Sequence, residues 1–455
     1  MKKVGFVSLG CPKNLVDSEV MMGRLAAAGY EITNRAEDAE TIVVNTCGFI
    51  ESAKQESIDA ILEVAALKEK GSASRVIVAG CLVERYRDEL IKELPEVDAF
   101  IGTSQVEEIV NAADPEADPS RLQLTPIGNK SSVYLYDETV PRLRATASHM
   151  AFIKIAEGCD RPCSFCSIPA MRGSFRSRRF GSVIEEARAL AREGVREIVL
   201  VAQDSSRYGE DFGEVDALAA LIRALGEIDE INWIRVMYAY PTHISDAFLD
   251  AIAETPKAVK YLDMPLQHAS RNVLKAMKRG GNRESLERLI ERIRKRIPQI
   301  AIRTTFITGF PGETEQDFRE LMAFVENCRF DNVGVFTYSD EEGTGAFNLS
   351  NKVDFRTAER RRKLLMKTQA RISHELNRSK IGQTLPAMFE GISDESDLLF
   401  QARLEGQARE IDGHILINDI AEGIAPQIGE IYDVRITKAY DYDLIGEIVA
   451  VRGGS

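Results

Sequence analysis

Short apolar runs alternate with helix-length segments over the first hundred residues. The runs lie at 4–9, 41–45 and 75–79 and are rich in β-branched residues, as buried parallel strands are. Apolar positions recur at helical spacing over 14–28 and 51–68. This alternation predicts a doubly wound α/β domain over residues 1–113.

A polar, proline-containing stretch follows and predicts a connector at 114–140. A longer β/α series comes next, with candidate strands at 151–155, 197–202, 234–238, 259–264, 300–308 and 332–336. Helical stretches separate them, including 183–192, 215–225, 283–295 and 315–328. Six β/α units without a clear seventh and eighth predict a partial (β/α)6 barrel, open on one side, within a domain at 141–380.

The residue pattern changes twice toward the end of the chain, at 354 and at 381. Residues 354–380 form a charged helical pattern, which we expect to be a solvated linker helix packing between domains rather than a phosphate-binding stripe. From 381 to 455, short alternating segments lie between Gly, Asp and Pro. This pattern predicts a small antiparallel β-barrel of five strands.

Composition narrows the classes of function. The chain has 455 residues with 58 Lys and Arg against 71 Asp and Glu, a formal net charge of -13, which disfavours a general nucleic-acid coat and favours a cationic partner. No apolar run reaches the roughly 20 residues of a membrane helix. The beginning, MKKVGFVSLGCPKN, indicates a first strand rather than a signal peptide, so we expect no membrane partner and a cytoplasmic location.

Three of the seven cysteines form one tight constellation, Cys159, Cys163 and Cys166, after the first strand of the second series. Three thiolates on one loop suit three corners of a cubane iron–sulfur cluster or three positions around zinc. Zinc is disfavoured because no fourth Cys or His follows nearby, and His149 is the one close candidate. A cluster with three ligands leaves one iron open for chemistry.

A second constellation is spread along the chain. Cys11, Cys47 and Cys81 each follow one of the first three apolar runs directly. Parallel strands place such positions at one carboxyl edge of the sheet, which favours a second three-thiolate cluster over three buried structural thiols. Cys328, at a helix end without companions, is predicted to be a core thiol.

The CxxxCxxC spacing, with an aromatic residue before its last cysteine and a β/α barrel around it, resembles the radical S-adenosylmethionine (SAM) superfamily. The resemblance implies that the open iron chelates SAM and that reduction cleaves SAM to a 5′-deoxyadenosyl radical. It also implies SAM contacts from Gly309, Pro311 and Gly312, and from Phe165 beside the cluster, although a core aromatic would look the same. The Gly-Gly-Glu segment of the superfamily is absent; Gln203 and Asp204 stand there, as SAM contacts or ordinary strand-end caps.

The whole chain resembles the methylthiotransferase family, which joins a three-cysteine domain, a radical SAM barrel and a small barrel called TRAM. Residues 8–19 (SLGCPKNLVDSE), 263–268 (DMPLQH) and 439–447 are similar to the branch that modifies ribosomal protein S-twelve. Transfer-RNA branches read closer to YGCQMN at the first of these places. The resemblance therefore implies a protein substrate.

The resemblance also implies a mechanism with two 4Fe-4S clusters and two SAM molecules per turnover. Cys11, Cys47 and Cys81 would hold an auxiliary cluster whose open iron carries a sulfur that one SAM methylates. Cys159, Cys163 and Cys166 would hold the cluster that reduces a second SAM, with electrons from an external carrier such as a flavodoxin or ferredoxin. The radical would remove hydrogen from the β-carbon of an aspartate in S-twelve, and that carbon would then take up the methylthio group.

No side chain is predicted as a firm catalytic residue, because the clusters and SAM carry the chemistry. Arg172, Arg176, Arg178 and Arg179 follow the cluster loop and could clamp the SAM carboxylate or orient the substrate aspartate; a solvated basic loop is the equal alternative. Gln267 and His268 could line the barrel mouth or be structural.

Three other functions remain open at this point. A transfer-RNA methylthiotransferase would share the fold, but residues 381–455 hold fourteen acids against five bases, which suits salt-sensitive binding of a cationic protein and predicts no direct transfer-RNA binding. An electron carrier would need complete ligand sets. A radical SAM enzyme that only methylates would leave the amino-terminal cysteines unexplained.

Overall fold

The computed structural model describes residues 2–71, 73–116, 134–393 and 396–452. Most of the predicted connector at 114–140, including Pro119 and Pro126, lies outside these residues. Within them, none of the helices has the length and apolar content needed to cross a membrane.

The amino-terminal domain is a five-stranded parallel sheet of order β2-β1-β3-β4-β5. Its strands are β1 Lys3–Ser8, β2 Glu31–Thr33, β3 Thr41–Thr46, β4 Arg75–Gly80 and β5 Ala99–Ile101, and its helices are α1 Pro12–Ala27, α2 Glu51–Glu69, α3 Cys81–Glu93 and α4 Ile109–Ala113. This is a doubly wound order, and its switch point lies between β1 and β3. The sequence pattern missed β2 and β5 because three residues are too short to show a period.

The second domain is a partial barrel of six parallel strands in two sheets, β6-β9-β10 and β11-β12-β13, joined by a bridge between Ile234 and Ala258. These strands are β6 Met150–Lys154, β9 Glu197–Val201, β10 Trp233–Val236, β11 Tyr261–Asp263, β12 Ala301–Thr308 and β13 Asn332–Thr337, with a two-residue pair, β7 Ala156–Glu157 and β8 Arg176–Ser177, beside them. Among the described residues no pairing joins β13 to β6, so the predicted open (β/α)6 barrel is confirmed.

Helices cover the outside of this barrel. They are α6 Phe180–Arg192, α7 Ala217–Gly226, α8 Asp246–Glu254, α9 Arg271–Ala276, α10 Arg283–Arg296, α11 Glu315–Cys328 and α12 Phe355–Arg378. The short helix α5 Ile168–Arg172 instead packs against α3 of the amino-terminal domain. The charged helix α12 buries one stripe, with Leu365 and Ile372 fully enclosed in the barrel core. Its far end meets the next domain, where the Asn377 amide donates to the Tyr440 carbonyl at 3.3 Å.

The carboxyl-terminal module is a closed five-stranded barrel of order β14-β15-β16-β18-β17. Its strands are β14 Thr384–Ser393, β15 Ser396–Leu404, β16 Ile415–Ile420, β17 Ile431–Ala439 and β18 Leu444–Val451. The prediction of a small barrel is confirmed. One pair, β16 with β18, is parallel rather than antiparallel, because β17 crosses to the far side and β18 returns beside β16 in the same direction.

The two smaller domains cover opposite ends of the central barrel. The carboxyl-terminal module meets the beginnings of its strands, where Arg403 pairs with Glu197 at the start of β9. The amino-terminal domain meets the carboxyl ends, where the Lys13 ammonium lies 3.4 Å from the centre of the Tyr238 ring. Active sites of β/α barrels lie at the carboxyl ends, so the amino-terminal domain closes over the functional face.

Candidate functional site

The first cysteine triad lies at the switch point of the amino-terminal sheet. Cys11 caps the beginning of α1, Cys47 follows β3, and Cys81 is the first residue of α3. A glycine lets the loops approach: a Cβ on Gly10, whose φ is +91°, would lie 2.9 Å from the Cβ of Cys47. The neighbour of Cys47, Gly48, likewise abuts the backbone of Cys81. The structure therefore brings the three predicted residues to one crevice.

Buried cations accompany this triad. The Nε of Arg172 donates to the Cys81 sulfur at 3.3 Å. Burial opposes ionisation of Cys11, but Lys13 and Arg172 hold the pKa of its thiol below the ordinary value. Burial raises the pKa of Cys47, and that of Cys81 to about 12. Ligation deprotonates such thiols, and the guanidinium compensates the thiolate charge that then appears in the crevice.

The second triad lies on the loop between β7 and α5. The backbone N–H of Cys159 donates to the Gly173 carbonyl at 3.0 Å, and that of Cys166 donates to the Cys163 carbonyl at 3.1 Å. The Arg279 guanidinium lies 3.6 Å from the Cys163 sulfur. Burial raises the pKa of Cys159 to about 11 and that of Cys166 to about 12.

Each of the two triads is a donor set of three thiols. In the described ranges, no three His, Cys, Asp or Glu side chains are arranged to hold one metal ion. A cubane binds each thiolate through a different iron, so its sulfurs stand farther apart than those around zinc. His149, the predicted fourth zinc candidate, lies at the opposite end of β6, where its Nε2 is 3.1 Å from the Glu390 carboxylate. Each triad thus offers three thiols, the number of protein ligands used by a cubane with one open iron.

The segment after β12 braces one side of the barrel mouth. Gly309 has φ +78°, and a Cβ there would lie 2.3 Å from the Cβ of Ala358 in α12. Gly312 has φ +86° and faces open space, and Pro311 is buried between them. The Glu313 carboxylate accepts from the Gly309 N–H and from Arg361 at 3.0 Å. Gly309 thus serves helix packing, whereas Gly312 leaves room for a ligand.

Two neighbouring residues after β9 differ in their surroundings. The Gln203 amide donates to Glu157, and its Oε1 is buried with no partner. Asp204 is buried and accepts from the Arg161 Nε at 2.8 Å. An unpaired buried acceptor is free to accept from a donor on a ligand, so Gln203 stays a candidate SAM contact, whereas Asp204 is held in an ion pair with Arg161. Phe165 is half-buried and packs against a cluster containing Met277 and Phe310.

The alternative of a solvated basic loop is wrong for two of the four arginines. Arg172 and Arg178 are buried, whereas Arg176 and Arg179 are exposed. Arg178 is fixed by Glu186 and by the Ser182 hydroxyl at 2.8 Å. Carboxylates at hydrogen-bonding distance make burial of these cations possible.

The two residues expected at the barrel mouth have structural surroundings. His268 is completely buried, and its Nε2 is 3.4 Å from Glu313. Gln267 has φ +73° and forms a bridge with Phe306 of β12. Both residues are therefore held by contacts within the barrel, and their roles stay predictions.

The sequence pattern did not predict a buried charge network between the amino-terminal domain and the barrel. Arg172 contacts Asp17 at 2.6 Å and Asn14 at 3.0 Å in α1, and Glu157 at 3.3 Å in the barrel. Lys154 pairs with Asp17 and, at 2.6 Å, with Glu157. The available signal was Lys154 itself, since a charged residue inside a buried apolar strand requires partners.

Family profiles match all three domains. The uncharacterized protein family UPF0004 matches residues 3–102, the Radical SAM superfamily matches 153–325, and the TRAM domain matches 381–449. A solved structure of the radical SAM methyltransferase TsrM from Kitasatospora setae has a TM-score of 0.51 and 16% identity, covering 74% of this chain and 73% of that one. The fold and the cysteine loop thus define a radical SAM enzyme, whose cofactors are an iron–sulfur cluster and SAM.

Full-length relatives narrow the class further. The chain is 53% identical over 450 residues to a ribosomal protein uS12 methylthiotransferase RimO from Solibacter usitatus, covering 98% of this chain and 95% of the relative. It is 50% identical over 486 residues to the protein of that name from Koribacter versatilis, covering 98% and 96%. The chain belongs to the RimO family of radical SAM methylthiotransferases, as the resemblance implied.

Proposed function

We propose that this enzyme adds a methylthio group to the β-carbon of an aspartate in ribosomal protein uS12, the S-twelve protein of the small subunit. The observation that carries the proposal is that the domain with one cysteine triad closes over the barrel end that carries the other triad. Arg172, on the helix after the second triad, donates to Cys81 of the first, and the full-length relatives of the chain bear the uS12 name. We place the auxiliary-cluster domain at 1–113, the radical SAM domain at 141–380 and TRAM at 381–455.

The residues divide into two sets of ligands. Cys159, Cys163 and Cys166 would hold one 4Fe-4S cluster, and Cys11, Cys47 and Cys81 would hold the auxiliary one. When bound, the two clusters would supply the radical and the methylthio sulfur, together with two SAM molecules. An unactivated C–H bond has no acidic proton for a side-chain base, which is why such cofactors are needed.

The chain's own residues position the cofactor and keep water away. The unpaired Oε1 of Gln203 would accept from SAM, and Gly312 would allow the backbone to approach its adenine. Phe165 would shield the cluster from water on the side of Met277. The amino-terminal domain closes the barrel mouth with a bridge of 2.7 Å between Arg85 and Glu341, which favours radical chemistry in a dry site.

A protein substrate is favoured over transfer RNA. The acidic excess over residues 381–455 repels phosphate, and the relatives named above are uS12 enzymes. The reductant would be an external one-electron carrier such as a flavodoxin or ferredoxin. Salt-sensitive binding of uS12, with no competition by transfer RNA, is the expected behaviour of the full chain.

Mass spectrometry of uS12 tests the function directly. In cells that lack this protein, one aspartate of uS12 should lose a methylthio group, and the wild-type gene should restore it. Cys47→Ala should abolish the modification but spare SAM cleavage to 5′-deoxyadenosine by the purified protein with dithionite, whereas Cys163→Ala should abolish both. Cys328→Ala, a change in the barrel core, is the matched control and should spare both.

Unmodified uS12 in the presence of active wild-type enzyme, together with methylthio groups on transfer RNA, would overturn the proposal. Full activity of Cys47→Ala on uS12 would instead show that the amino-terminal triad is not needed.

A further inference from the structure

A basic surface lies beside the second cysteine loop. It consists of Arg271 and Lys275 in α9 and Lys278 in the following turn; all three side chains are exposed. These residues and Arg279 line an open groove of about 610 Å³ whose other lining residues are neutral. In a chain with a net charge of -13, this local concentration of positive charge creates a field opposite to that of the whole molecule.

The basic surface is tied directly to the cluster loop. The Ser164 N–H donates to the Met277 carbonyl at 3.0 Å, and its hydroxyl donates to the Ala276 carbonyl at 2.8 Å. Arg279 extends from the groove to the sulfur of Cys163, 3.6 Å away. One residue layer therefore separates the groove from the cluster ligands.

The groove continues along the barrel rim. A second groove of about 460 Å³ shares Gly280 and Gly281 with the first and adds Arg288 and Arg292, again without a carboxylate in its lining. No aromatic side chain lines either groove. Single-stranded nucleic acid binds through stacking on aromatic residues, so the lining favours an acidic protein over RNA.

We propose that the surface formed by Arg271, Lys275 and Lys278 docks an acidic one-electron carrier protein that reduces the cluster held by Cys159, Cys163 and Cys166. The inference rests on the proposed function and adds the place at which electrons enter. One electron leaves the reduced cofactor of the carrier and enters the cluster, and no bond or proton is exchanged at the surface. A cationic substrate is repelled here, which keeps the carrier and uS12 on different faces.

Charge reversal tests the surface. The full chain carrying Arg271→Glu, Lys275→Glu and Lys278→Glu, with both clusters reconstituted, is compared with the wild type using reduced flavodoxin, an acidic flavoprotein, as the donor. Loss of visible cluster absorbance and formation of 5′-deoxyadenosine are both followed. We expect the flavodoxin-driven rates to fall about tenfold or more at low salt, in the range of electrostatic steering, while dithionite-driven rates stay unchanged. The wild-type rate should fall with salt and the variant rate should not.

A matched control reverses three exposed cations elsewhere, Arg192→Glu in α6 with Lys367→Glu and Arg378→Glu in α12. It has the same net charge as the test variant and should keep the wild-type flavodoxin rate. An equal loss in the control, or an equal loss with dithionite, would overturn the docking site. So would an unchanged flavodoxin rate accompanied by lost binding to ribosomal RNA, which would make the surface an RNA contact.

The two proposals fail separately. If the wild type forms no 5′-deoxyadenosine with dithionite, the proposed function fails, yet flavodoxin-driven loss of cluster absorbance still decides the docking site. If dithionite supports activity and the test variant accepts electrons from flavodoxin at the wild-type rate, only the docking site is wrong.

Discussion

Arg172 is the side chain on which the two halves of the site converge. Its guanidinium donates to the Cys81 sulfur and contacts carboxylates of both domains, Asp17 and Glu157. A donor to a cluster thiolate stabilises the reduced, more negative state and so raises the reduction potential. The same group holds the charge balance of the interface, because Asp17 and Glu157 are buried beside it.

Arg172→Lys separates these two roles. Lysine keeps the positive charge near the carboxylates but lacks the Nε that donates to Cys81. We expect the midpoint potential of the proposed auxiliary cluster to fall by about 60 mV, one tenfold change in the equilibrium constant for one electron. A redox titration followed by electron paramagnetic resonance measures it. The exposed Arg176→Lys is the control and should leave the potential unchanged; equal potentials in all three proteins would contradict the role of the Nε donor.

At the scale of elements, the segment after β12 has two roles, one in helix packing and one at the proposed SAM site. Gly309 abuts Ala358 and lets α12 lie against the open barrel edge, while Gly312 faces open space. Arg361 of α12 reaches the Glu313 carboxylate at 3.0 Å and fixes the turn between them. The charged helix α12, which meets the carboxyl-terminal module at its far end, therefore also supports the proposed SAM site.

Substitution by alanine should distinguish the role of Gly309 from that of Gly312. Gly309→Ala adds a methyl group against Ala358 as well as left-handed strain, so we expect a loss of about 3 kcal/mol or more in the free energy of unfolding. Gly312→Ala carries only the backbone strain, about 1–2 kcal/mol, but should weaken SAM binding. Denaturant unfolding and SAM titration measure the two effects. Weakened SAM binding in Gly309→Ala alone would contradict this assignment.

At the scale of the whole molecule, buried charges fix the TRAM module to the barrel beside an apolar contact, in which Met388 and Ala408 pack with barrel residues that include Trp233. The Glu390 carboxylate accepts from Arg403 at 2.8 Å and lies 3.1 Å from both Arg409 and His149. Arg403 continues to Glu197 of the barrel. Burial would raise the pKa of Glu390, but Arg403, His149 and Arg409 hold it well below the ordinary value.

The ion pairs of Glu390 should make the free energy of unfolding fall at acidic pH. A carboxyl whose pKa is depressed in the folded state stabilises the fold above its unfolded pKa of about 4.3, and that contribution is lost as pH falls toward the folded value. We expect Glu390→Gln to lose about 3–5 kcal/mol at neutral pH, as when one partner of a buried pair is removed. Its unfolding free energy should then change less than the wild type's between about pH 5 and pH 3.

Thermal and denaturant unfolding across this pH range measure the effect. Glu422→Gln, an exposed acid of the same module, is the control and should follow the wild type. Identical pH profiles for Glu390→Gln and the wild type would show that Glu390 does not couple the module to the barrel.

The sequence by itself determined the folds of the three domains, because the periodicity of apolar residues is a local property of the chain. It also identified six cysteines as candidate ligands, three by their short spacing and three because each follows a predicted strand. It could not decide whether Arg172 was solvated or buried, since its partner Asp17 lies 155 residues away in the other domain. Nor could it show that Arg178 pairs with Glu186 of the next helix. Only the tertiary structure showed that the amino-terminal domain closes the barrel's carboxyl end and that TRAM seals the other. The physical reason is that burial of a charge depends on partners from other elements, which no local pattern records.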